Sequence, residues 1–194
     1  MPFIDPDKPS GPVRFTYPSL YASLPAPLQP RAPGSHVTRE ELATVAPMDE
    51  LPIALFPGGR GLPRAPKVVF GFPITPKQIE DICHRFDPSK PIKAMDADGY
   101  ISTDAKTRVD SALTGMCAYG VHLSTVANHP DTNVVSFGDN YGFTALRETL
   151  KDEHIRTMQE ILATNEPPMW YIQYRCNYER HRPDMVGDAT RRGS

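Results

Sequence analysis

The stretch Phe143–Tyr178, FTALRETLKDEHIRTMQEILATNEPPMWYIQYRCNY, decides how the rest of the chain is read. Phe143, Leu146, Leu150, Ile155, Met158, Ile161 and Leu162 recur at helical spacing and fall along one side of an α-helix. Arg147, Lys151, Asp152, Arg156 and Glu160 occupy the opposite side, which predicts a solvated face. Asp139 or Asn140 can cap the start, and Pro167-Pro168 cannot continue the helix, so one long helix is expected to end near Asn165. From Met169 onward the period changes to two. Trp170, Ile172, Tyr174, Cys176 and Tyr178 alternate with Tyr171, Gln173, Arg175, Asn177 and Glu179, as in a half-buried strand of an antiparallel sheet. The short linker 164–168 places helix and strand side by side.

Outward from this pair, composition sets the frame. A chain of 194 residues suits one domain with a real core. The net charge of −2 exerts no global pull toward nucleic acid or anionic lipid. Three cysteines, Cys83, Cys117 and Cys176, are too few and too scattered for a disulfide scaffold, which predicts a reducing, intracellular and cytoplasmic home. The opening Met1–Asp7 lacks the basic and apolar regions of a signal peptide, and no apolar run approaches the length of a bilayer span.

Residues 1–66 hold 14 of the 22 prolines, so a proline-rich extended arm with little regular structure is expected there. Thr38 and Glu41 form a capping box that opens a short helix onto Leu42 and Val45. Phe3, Phe15, Tyr17, Leu24, Leu28, Leu51, Leu55 and Phe56 are apolar anchors that solvated linkers lack, so the arm is expected to pack on its own domain or on a partner. Phe56–Gly61 reads as a turn, because the Gly-x-x-x-x-Gly-Lys-Ser/Thr spacing of a phosphate loop is missing. An α+β domain follows over residues 67–179, and a polar, basic tail over 180–194.

Within the domain, Lys67–Ile74 reads as a strand. Thr75, Pro76 and Gln78 open a helix carrying Ile79, Ile82, Cys83 and Phe86 on one side. Met95–Ser102 resembles part of an EF-hand loop, but Ala94 and Ala105 stand where two essential carboxylates belong, so a hairpin-like turn is expected instead. Thr107–Val126 reads as a second long helix started by Thr107 and Asp110, and Asn133–Phe137 as a buried strand. The sum is an α+β fold: a small, mainly antiparallel sheet of three to four strands with two or three long helices on one face. A ferredoxin-like relative is compatible with that order.

No serine elbow, dinucleotide fingerprint, zinc-protease helix or paired Cys-x-x-Cys occurs, and Cys176 with His181 lacks a second pair for zinc. No cofactor and no metal is therefore expected. Cys83 and Cys117 lie on apolar helix sides, where inert thiols sit. His154 falls within the apolar stripe of the central helix and needs a partner or a cavity. His122 and His129, with Asp131 and Asp139, are candidates to face a common cleft. The aromatics and arginines after Trp170 suggest single-strand nucleic-acid stacking, but their alternation separates them onto two faces and argues against it. The sequence thus leans away from an enzyme. It points to a non-catalytic interaction protein that self-associates as a homodimer, or docks on a protein partner, through its proline-rich arm and an exposed sheet face. The alternative is a small enzyme or ligand-binding domain with a pocket between helices and sheet, using His154 or His122 beside a carboxylate such as Asp139.

Overall fold

The computed structural model describes residues 22–29, 37–56, 65–90, 92–96, 101–129 and 133–173. Phe3, Phe15 and Tyr17 of the arm, the turn at residues 57–61, Asp98 to Tyr100, Asp131, the strand end carrying Tyr174 and Cys176, and the tail lie outside these residues.

Capping chemistry sets the best-read elements. Strand β1 (Val68–Pro73) leads into helix α2 (Pro76–Phe86), where the Thr75 side chain accepts from the Gln78 N–H at 3.2 Å and Gln78 Oε1 accepts from the Thr75 N–H at 2.9 Å. The same reciprocal box at Thr38 and Glu41 opens the short helix α1 (Arg39–Ala43). Ile79, Ile82 and Cys83 of α2 are buried, but Phe86, expected to share their side, is 61 % exposed at the helix end.

Helix α3 (Thr103–Cys117) begins earlier and ends earlier than the spacing predicts. Ser102, not Thr107, supplies the cap by accepting from the Ala105 N–H. Ala118 adopts the left-handed conformation (φ 52°) and stops the helix. His122–Thr125 then forms strand β2 rather than the last turns of a helix. Strand β3 (Asn133–Asp139) follows; Met95 pairs with Ile101, and the hairpin-like turn expected between them falls on residues 97–100, outside those described.

The expected central helix is two helices. Helix α4 (Phe143–Thr149) stops, Leu150 and Lys151 are extended, and helix α5 (Asp152–Leu162) starts afresh. The apolar spacing carries the reason: between Leu150 and Ile155 it jumps five residues, which would rotate the stripe off one helix face. Breaking the helix returns Ile155, Met158 and Leu162 to the core, and Asp152 and Glu153 place acidic groups at the new N-terminus. Strand β4 (Met169–Ile172) closes the chain's core.

The four strands form one antiparallel sheet in the order β2-β3-β1-β4. Two interleaved strand–helix–strand units, each crossing over through a pair of helices, generate that order, the split β-α-β path of ferredoxin-like topology. Val68, Phe70, Phe72, Leu123, Val135, Phe137, Trp170 and Ile172 face the helices in a single core. The far face was expected to be exposed. It is not: Val69, Val126, Val134 and Tyr171 form a second buried cluster there, each at most 2 % exposed. Burial pushes the Tyr171 hydroxyl pKa up to about 12.

Both edges of the sheet are engaged. On β2, the Leu123 N–H donates to Asp110 and its carbonyl accepts from Lys106, both on α3. On β4, Met48 and Trp170 exchange backbone hydrogen bonds of 3.0 and 2.7 Å, so the arm adds a one-residue strand. Past β2, Val126 bridges to Gln173 and the Ala127 N–H donates to the Ile172 carbonyl, tying one edge strand to the other.

The described parts of the arm belong to the main core. Leu24, Leu28, Leu42, Val45, Leu51, Ala54 and Leu55 are all buried in it. Asn140, itself 1 % exposed, locks this arrangement. Its amide nitrogen donates to the carbonyls of Leu55 (2.7 Å) and Pro66 (3.0 Å), and its oxygen accepts from the Val68 N–H (3.1 Å).

Two substitutions test this construction. A β-bulge between Phe70 and Gly71 brings backbone so close that a Cβ on Gly71 would sit 2.0 Å from the Val135 oxygen. Gly71→Ala is therefore expected to cost about 4 kcal/mol or to prevent folding, read by urea denaturation. Asn140→Ala leaves three buried backbone groups without partners and is expected to cost about 3 kcal/mol in the same assay.

Candidate functional site

A cleft of about 490 Å³ opens between the arm, the sheet and helix α5. Its floor is apolar: Leu51, Phe70, Phe143, Ile155, Pro168 and Trp170 are buried lining residues, with Phe56 partly buried beside them. The aromatic rings brace one another. Phe56 meets Phe143 edge-on at 4.6 Å between centroids, and Trp170 lies 5.0 Å from Phe70 and 6.0 Å from Phe143. Charged groups stand only at the mouth, where Asp49 and Glu50 of the arm face Asp152 and Arg156 of α5, all exposed. Gln159 also lines the cleft, but its amide is already donated to the Glu166 carbonyl at 2.9 Å.

Each wall has a local cause. Residues 49–51 follow the Met48–Trp170 backbone pair, and Phe56 follows a single 3-10 turn (Ile53–Leu55) whose Leu55 is gripped by Asn140. The α4–α5 break points the start of α5 at the arm, so Asp152, Ile155, Arg156 and Gln159 line the same side. Pro167-Pro168, which end the helical pattern, turn the chain back under the floor as Trp170 enters the sheet.

The candidate site residues lie elsewhere, each with its own partners. His154 is 14 % exposed, and its Nδ1 accepts from the Lys151 N–H at 3.1 Å, satisfying a free donor at the start of α5. Its ring packs 4.9 Å from that of Tyr119. His122 is 73 % exposed and 3.8 Å from Asp110, a carboxylate already engaged by Lys106 and the Leu123 N–H. Asp139 accepts from the N–H groups of Tyr141 and Gly142 and pairs with Lys67 at 2.8 Å. His129 packs edge-on against Tyr171 at 5.6 Å. None of these four lines the cleft.

Cys83 and Cys117 are buried, and in both cases burial pushes the thiol pKa up, away from the thiolate a nucleophile requires. Among the described residues no three His, Cys, Asp or Glu side chains converge on a point that would hold a metal ion. No described helix is long and apolar enough to cross a membrane.

The cleft residues were visible in the sequence only as core or surface. Trp170, Phe143 and Ile155 read as core; Arg156 and Asp152 read as a solvated helix face; Asp49 and Glu50 carried no signal. Compared with protein-family models, characterised proteins and solved structures, the chain matches none.

With a structural role, His154→Ala is expected to lower stability by about 1 kcal/mol through the lost cap, and to leave ligand binding in the cleft unchanged. Denaturant midpoints and binding titrations on the same preparation check both halves.

Proposed function

We propose that this chain is a non-catalytic ligand-binding protein whose cleft takes one small, largely apolar molecule. The supporting observation is the cleft itself. At about 490 Å³, with an apolar floor and charges only at its mouth, it has the size and lining of a small-molecule site. Nothing in its lining pairs a nucleophile with a base: the carboxylates stand at the mouth, and the neighbouring side chains are aliphatic, aromatic or an amide already donated to backbone.

Docking through the proline-rich arm, to a protein partner or a second copy, is the competing proposal, supported by the arm's composition and apolar anchors. Against it stands the use already made of the arm, since residues 37–56 carry core side chains and half of the Met48–Trp170 pair. A solution mass above the 21.6 kDa of one chain would favour the arm.

Trp170 is the only tryptophan in the sequence and lines the cleft, so its emission reports occupancy directly. Titration with a neutral apolar probe, 1-decanol, is expected to give a saturable change with one site per chain. Gln159→Phe, which fills the cleft from a half-buried helix position, is expected to weaken that binding about tenfold or more, while the melting temperature falls only by the loss of one exposed hydrogen bond to the Glu166 carbonyl. Unsaturable binding, or equal affinity in the variant, would remove the proposal.

A further inference from the structure

We infer that the ligand of this cleft is an organic cation, a quaternary or otherwise fully alkylated ammonium carried on an apolar body. This rests on the ligand-binding proposal above and adds the charge and the substitution of the ligand's head.

Charge follows from the mouth. Asp49 and Glu50 stand on the arm wall and Asp152 on the α5 wall, so carboxylates approach the opening from two elements. Arg156 is the one cation among the lining residues, leaving three negative charges against one positive. Among the described residues no ion pair is formed by any of the four, although the Asp49 carboxylate accepts from the Glu50 N–H and Asp152 lies in the first turn of α5. An anionic head, such as a fatty acid carboxylate, meets net repulsion there, whereas a cation meets net attraction that comes from the arm wall, since Asp152 and Arg156 offset each other on α5.

Alkylation follows from the floor. Below the mouth the lining side chains are Leu51, Phe56, Phe70, Phe143, Ile155, Pro168 and Trp170, none of which bears a hydrogen-bond acceptor suited to an ammonium N–H. A primary ammonium entering this space loses its water and meets one side-chain acceptor beside these, the Gln159 Oε1, for its three N–H groups, a desolvation that burial penalises heavily. A trimethylammonium has no N–H to satisfy and holds its water weakly, and aromatic rings attract it through their quadrupoles. Four aromatic residues line the cleft, one of them a tryptophan, the side chain that attracts cations best.

The experiment titrates the full-length chain, below micelle formation, with decyltrimethylammonium, decylammonium, decyl sulfate and 1-decanol, following Trp170 emission, with far-UV circular dichroism confirming that the fold persists. The trimethylammonium is expected to bind about tenfold or more tighter than the sulfate at low ionic strength, and tighter than the primary ammonium. The preference over sulfate is expected to shrink in about 0.5 M salt, because the mouth charges are exposed to screening. The triple variant D49N/E50Q/D152N is expected to lose that preference, the trimethylammonium and the sulfate then binding with similar affinity. Equal or tighter binding of the sulfate, a primary ammonium that matches the trimethyl compound, or a preference that survives in the triple variant each overturns the inference. If decanol binds while the cation shows no advantage, the ligand-binding proposal stands and only the cation assignment fails. If none of the four binds saturably, both fall.

Discussion

The attachment of the arm to the sheet is the constraint on which the rest of the molecule depends. It is made at two points. Met48 pairs its backbone with Trp170 on the β4 edge, and Asn140 reaches from the turn after β3 to hold Leu55, Pro66 and the start of β1. Both are backbone-directed hydrogen bonds in a desolvated setting, where an unmade bond costs far more than a made one gains. Between them, residues 49–56 are held as a wall opposite α5, and the cleft is the space left between that wall and the helix. Without the attachment there is no cleft, and the helix-side face of Trp170 and Phe70 would open to water.

The same economy of backbone groups governs the sheet. A four-stranded sheet presents two edges, each a row of donors and acceptors able to recruit another chain. Here Asp110 and Lys106 occupy the Leu123 groups on β2, the arm occupies Trp170 on β4, and the Val126–Gln173 bridge joins the two edges. The far face, whose alternation suggested a surface for docking, is filled by Val69, Val126, Val134 and Tyr171. Among the described residues these edge and face positions are taken up inside the molecule, while the concavity between the arm and α5 stays open.

Local signals carried well where a few neighbouring residues decide the outcome. The boxes at Thr38 and Thr75 each depend on side chains three residues apart, and both stand in the structure as the spacing implies. Errors arose where periodicity was extended across a break. The five-residue step from Leu150 to Ile155 was present in the sequence, yet a stripe of apolar residues masks one slipped position. Over residues 107–126 apolar spacing alone cannot separate a helix end from a strand start, so the strand His122–Thr125 is hidden in a helical reading. His154 shows the same limit in the site. Its place in an apolar stripe suggested chemistry, and its ring nitrogen instead completes the first turn of α5.

By itself the sequence determined the α+β class, the antiparallel character of the strands and the burial of both helix-borne cysteines, because each follows from side-chain period and capping within a dozen residues. Tertiary structure alone decided the strand order, the capture of the arm by Trp170 and Asn140, and the meeting of Asp49, Glu50, Asp152 and Arg156 around one aromatic floor. These unite residues about a hundred positions apart. What joins them is hydrogen bonding and packing between distant segments, for which no spacing along the chain is a sign.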